Sequence, residues 1–186
     1  NWAGILLLTK MSSLSEVGLY TATAQWNAVI TMIPGMLANV VLSHLSGASG
    51  HQQQALVYRV LGVYLFCTVI PFLCVYALSD YIVAFYGSDF SAMKTVLRLN
   101  IFITIPACCS EVFKAELIAV GKTWVLFTLR MLKDVVLVVL AFILLKMYNG
   151  LDGAYFYSMS SLVGAVVFFI GVLTIYLVNI NKKINI

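Results

Sequence analysis

Five long runs of apolar residues decide what this chain can become. They cover residues 17–45, 55–78, 96–120, 124–145 and 154–180. Each holds at least about 20 residues, the length an α-helix needs to cross the hydrocarbon core of a bilayer. The same pattern argues against strands. A membrane barrel strand is about ten residues of alternating polarity, and these runs are longer and do not alternate. Composition agrees: 62% of the 186 residues are hydrophobic and 10% charged, against about 45–50% and about 25% in a soluble domain. The expected fold is all-α, a polytopic transmembrane helix bundle forming one domain over residues 1–186.

Residues 1–9 hold a shorter apolar stretch, Trp2 to Leu8, followed by Lys10. Eight helical residues rise roughly 12 Å, well short of a core of about 30 Å. It lacks the basic leader and small-residue cleavage site of a signal peptide. The expectation is a partial span, five full spans after it, and a chain that is a fragment of a longer protein.

The connections carry turn chemistry. "SGASGHQQ" (Ser46 to Gln53) is polar and glycine-rich, and "YNGLDG" (Tyr148 to Gly153) contains Asn-Gly and Asp-Gly. "GK" (Gly121-Lys122) is so short that the third and fourth spans should form an antiparallel hairpin. The segment from Ser79 to Ala92 mixes Tyr and Phe with Asp80 and Asp89. It reads either as a short helix lying flat at the membrane interface or as an aromatic-rich loop. The net charge of +4 is small and scattered, which speaks against a nucleic-acid partner. The Lys182-Lys183 end reads as a cytoplasmic anchor, although the Lys/Arg count alone does not orient the chain.

The most expensive feature is a set of charges inside the third and fourth runs. Glu111 and Lys114 lie three apart and share a helix face; Arg130, Lys133 and Asp134 share another. Lys114 and Arg130 are each eight residues from Lys122, and Glu111 and Lys133 each eleven, so the members of each pair fall at similar depth. Eleven residues rise about 16 Å, roughly half the hydrocarbon thickness. Such charges avoid lipid. Glu111 is expected to pair with Lys133, and Lys114 with Asp134. Counting Glu116, the hairpin is formally balanced. Two readings stay open: an ion-pair network that holds the hairpin, or a hydrated cavity where Lys114, Arg130 and Lys133 meet an anionic substrate.

The first run carries a polar stripe, Thr23, Asn27 and Thr31, then Pro34 and Asn39. It reads as a cavity face or as interhelical hydrogen bonding. Pro34, Pro71 and Pro106 should kink their helices. Gly164 and Gly171 mark close packing. His44 and His51 are expected to face solvent. Cys67, Cys74, Cys108 and Cys109 read as small buried hydrophobes, with no metal-ligand spacing. No nucleophile elbow, phosphate-cradling loop or HExxH appears; the reading is not an enzyme, with no cofactor.

"SEVGLYTATAQWNAVITMIPGMLANVVLSHLSG" (Ser15 to Gly47), "FYGSDFSAMKTVLRL" (Phe85 to Leu99) and "AELIAVGK" (Ala115 to Lys122) resemble segments of the Wzx-type O-antigen and capsular polysaccharide flippases of the multidrug/oligosaccharidyl-lipid/polysaccharide superfamily. The resemblance lies in a Gly-x-Tyr after an acidic residue, a mid-helix Pro, a YG-x-x-F loop and an L-x-A-x-G turn, in that order. It implies one six-helix lobe of a two-lobed transporter, the C-terminal one, whose partner is an N-terminal lobe upstream. It further implies an undecaprenyl-pyrophosphate-linked oligosaccharide as substrate, alternating access, membrane lipids as surroundings and the bacterial inner membrane as location. Lys114, Arg130 and Lys133 become candidate substrate cations. Glu111, Glu116 or Asp134 become candidates for pairing or for proton or Na⁺ coupling. The rivals are a drug or metabolite exporter of the same superfamily, a membrane-embedded glycan-assembly enzyme and a non-transporting scaffold.

Overall fold

A computed structural model describes residues 2–47, 50–87, 90, 92–149 and 152–184, and among them it contains helices and no strand. Residues 88 and 89, and the side chains of residues 50, 51 and 181–184, lie outside the described set, so the expectations for His51, Asp89, Lys182 and Lys183 do too. The helices are α1 (Trp2–Met11), α2 (Leu14–Gly47), α3 (Gly50–Ala77), α4 (Ser79–Tyr86), α5 (Met93–Phe102), α6 (Thr104–Ala119), α7 (Thr123–Met147) and α8 (Gly153–Ile184).

Four helical segments are long and apolar enough to cross a membrane: Leu14–Gly47, Gln52–Ala77, Met93–Ala119 and Gly153–Ile180. α7 has the length, at 25 residues. It gathers Arg130, Lys133 and Asp134 within five positions and is not among the four.

Proline chemistry shapes two of the spans differently. The expected third span is two helices, α5 and α6, meeting at Ile103. Pro106 has no N–H to give Phe102, one turn back. The chain tightens there, with Ile103 N donating to Asn100 O (3.1 Å) before Ala107 N donates to Ile103 O (3.2 Å). Pro34, in contrast, does not interrupt α2, which runs unbroken through it with the ring buried.

α6 is the central helix. In the most apolar stretch of the Met93–Ala119 span half of the residues are buried, against 22% in the matching stretches of the other three. Val112, Phe113 and Leu117 of α6 pack with Val57 and Tyr64 of α3 and Val172 and Tyr176 of α8. α7 lies chiefly against α8 and α1, not along α6. Glycines set that contact: a Cβ on Gly164 would sit 3.4 Å from the Lys133 carbonyl oxygen, and one on Gly171 would sit 2.8 Å from Leu129 Cδ2. Asn149 and Asp152 hold left-handed φ values of 51° and 50° in the turn before α8.

The cysteines are free thiols of unequal setting, and the expectation of four buried hydrophobes needs correcting. Cys108 is buried and accepts a hydrogen bond from Thr68 Oγ1 (2.8 Å). Cys74 is exposed, because it sits on the outward face of α3. His44 is exposed as expected.

Candidate functional site

The Gly121-Lys122 turn closes α6 by glycine geometry. Gly121 takes φ +77°, a conformation that costs glycine little. Lys122 N then donates to Leu117 O, and Gly121 N to Ile118 O, both at 2.9 Å. Past this turn the two helices diverge, because α7 turns onto α8. The divergence opens a cleft of about 230 Å³ between α6, α7 and α8.

Four charged side chains line that cleft: Glu111 and Lys114 from α6, Arg130 and Lys133 from α7. Ser161 and Phe168 of α8 form its far wall. These four share one cleft, but their ion-pair partners are not the expected ones. Lys114 pairs with Glu111 of its own helix, and Lys133 Nζ lies 3.4 Å from Asp134 Oδ1 beside it. The expected cross-hairpin pairs, Glu111 with Lys133 and Lys114 with Asp134, are replaced by pairs within each helix, since the helices splay. Lys133 also places its ammonium 5.8 Å from the Phe168 ring centroid. Arg130 is exposed, with no ion pair among the described residues.

Glu116 does not belong to this cluster. Five residues past Glu111, it lies on the other side of α6, almost fully buried, beside Gln53, Tyr176 and Asn179. Asp134 flanks Lys133 without lining the cleft. The balance counted along the sequence thus fails in space: the lining has three cations to one carboxylate.

The α2 stripe divides. Asn27 Nδ2 donates to Asn100 O (3.2 Å), and Asn100 Nδ2 donates to Thr23 Oγ1 (2.8 Å). Thr31 Oγ1 donates back to Asn27 O (2.9 Å). This part ties α2 to α5. Asn27, Thr31 and Pro34 also border a second cleft of about 320 Å³, which shares Ala107 and Glu111 with the first. Asn39 is exposed and lines neither. Pro106 acts through the Ile103 joint rather than as a lining residue.

Sequence reasoning missed Asn100, Ser161 and Phe168. Asn100 had a signal, a lone amide inside an apolar run. Ser161 and Phe168 had none, because only the rotation of α8 decides what they face. Among the described residues no group of three or more His, Cys, Asp or Glu is placed to hold a metal ion. No protein-family model matches the chain, and no curated protein and no solved structure matches it.

Proposed function

We propose that the chain is one helical lobe of a flippase. On this reading it moves an undecaprenyl-pyrophosphate-linked oligosaccharide, an O-antigen or capsule repeat unit, across the bacterial inner membrane by alternating access. α7 then crosses the membrane too, as the fourth of five spans, and a second lobe of the same protein faces the cleft. Coupling to a proton or Na⁺ gradient, with Glu111 or Asp134 as the acid, belongs to the same proposal.

One observation carries it: the cleft lined by Lys114, Arg130 and Lys133 against Glu111 alone. By residue count from the turn these groups lie about 12–16 Å along their helices, where charge is costly against lipid. A wet cavity relieves that cost. Guanidinium and ammonium groups converging there favour a phosphate-like anion. The volume, about 230 Å³, is below the roughly 300–1,000 Å³ of drug-sized sites. That is room for a pyrophosphate-sized anion on this lobe's side of the cleft, and an exporter of the same superfamily stays the alternative reading.

The test uses the intact protein. Deleting its gene should abolish surface polysaccharide. The wild-type copy should restore it, and an Arg130→Ala/Lys133→Ala copy that still inserts should not. Cysteines at positions 130 and 133 should react with a water-soluble maleimide. Unimpaired polysaccharide in the deletion, or cysteines that stay unlabelled, would leave an exporter or a dry structural network as the better account.

A further inference from the structure

α4 starts one residue after α3 ends, and backbone bonds bridge the joint: Leu78 N donates to Cys74 O and Ile82 N to Leu78 O, both at 2.9 Å. α3 is long and apolar enough to span a membrane, so its end marks the depth at which the chain leaves the hydrocarbon. α4 has eight residues, about 12 Å, and cannot itself cross.

Its side chains fall into three sectors at about 100° per residue. Ser79, Ile82, Val83 and Tyr86 point into the bundle: Ser79 is fully buried and the other three are half-buried. Ile82 packs near Ile30 and Leu97, and Val83 and Tyr86 near Met93. Two polar contacts fix the rotation of the helix. Asp80 pairs with Lys94, and Arg98 Nε donates to Ser79 Oγ (3.2 Å) while its guanidinium lies 4.9 Å from the Tyr76 ring centroid. With that face pinned, Leu78, Tyr81 and Phe85 line one outward flank, 50%, 76% and 92% exposed. Asp80 and Ala84 line the other, also exposed.

We infer that α4 is an interfacial helix whose Leu78–Tyr81–Phe85 flank rests in the lipid headgroup and acyl boundary, with the Asp80–Lys94 flank turned to water. Aromatic rings with one polar end favour that depth. An amphipathic helix in the membrane plane needs this division between an apolar and a charged flank. The neighbouring span supplies continuity: the same bilayer that covers α3 meets α4 at its first residue.

Bromine quenching tests the contact in the intact protein, reconstituted in phosphatidylcholine vesicles with brominated acyl chains. The emission that Phe85→Trp adds over wild type should be lost in the brominated vesicles and spared by aqueous iodide. Ala84→Trp, on the opposite flank, should show the reverse. Tyr81→Trp repeats the measurement at a second site should Phe85→Trp insert poorly. Emission from positions 85 and 81 that iodide quenches and bromine spares overturns the inference. Shielding from both quenchers overturns it too, and assigns the flank to a protein partner.

Discussion

Glu16 and Ala154 lie 138 residues apart and meet at the N-terminus of α8, where the Glu16 carboxylate accepts the Ala154 backbone N–H through Oε2 at 2.8 Å. The start of α2 thereby caps the last helix. A carboxylate at a helix N-terminus satisfies an otherwise unpaired donor and meets the positive end of the helix dipole. Glu16→Ala should cost about 1 kcal/mol, by the scale of lost N-caps. Glu16→Gln, which keeps an acceptor, should cost less. Thermal unfolding in detergent reads both.

Arg130 is the cleft cation without an ion pair among the described residues, so its loss should act on the anion and not on the fold. Arg130→Ala should weaken inorganic pyrophosphate binding by about 1.5–3 kcal/mol, roughly ten- to a hundredfold. Arg130→Lys should recover part of it. Glu111→Gln should move affinity the other way, because it frees Lys114 from its carboxylate. Titration calorimetry on the intact protein decides the signs.

Asn100 of α5 holds the polar stripe of α2. Asn100→Ala removes its amide donor to Thr23, at a cost of about 0.6 kcal/mol and at most about 1.7 on the scale of interhelical bonds in membranes. Asn39→Ala, at an exposed site, should leave the melting temperature unchanged.

Gly4 is a point of close approach. A Cβ there would overlap the Tyr157 hydroxyl. Tyr157 is buried and held edge-on against Tyr20, ring centroids 4.6 Å apart, so it has little room to move. Gly4→Ala should destabilise by about 1–3 kcal/mol, the usual cost of overpacking. Gly171→Ala should cost less, because the atom it meets is a terminal methyl of Leu129.

Asp80 supplies a pH dependence. Its ion-paired hydrogen bond with Lys94 holds the carboxyl below the ordinary carboxylate value; desolvation opposes this, and the charges of Lys94 and Arg98 add to it. A group depressed in the folded state stabilises above its unfolded value and loses that contribution as pH falls through the folded one. The hold of α4 on α5 should therefore be full at neutral pH and weaken only in acid, below an unfolded value of about 3.9. Amide exchange across Ser79–Tyr86, corrected for intrinsic rates, should quicken there. In Asp80→Asn it should be quick at every pH.

Much of the architecture was legible because apolar length is a local property. The runs around Val17, Ala55 and Ala154 needed no tertiary knowledge to read as long helices, whereas the third run, expected as one kinked span, is two helices. What the charges touch was not legible. Matching Glu111 to Lys133 by depth assumed that a hairpin stays closed, whereas glycines at 164 and 171 draw α7 onto α8 instead. Glu116 illustrates the same limit: two carboxylates five residues apart count equally in a sum of charges and point to opposite sides of one helix. α2 runs on through Pro34 while the third run divides near Pro106, so the residue type alone did not say which proline sits at a helix boundary.

The joint at Ile103 has a mechanical meaning. Above it, α5 is tethered to α2 through Asn100; below it, α6 carries Glu111 and Lys114 toward the Gly121 turn. Pro106 deletes the strut that would make these two pieces one rigid rod. The packed lower piece and the tethered upper piece thus meet at backbone that lacks one rung, so a difference in tilt between them is taken up at the joint and not along either helix.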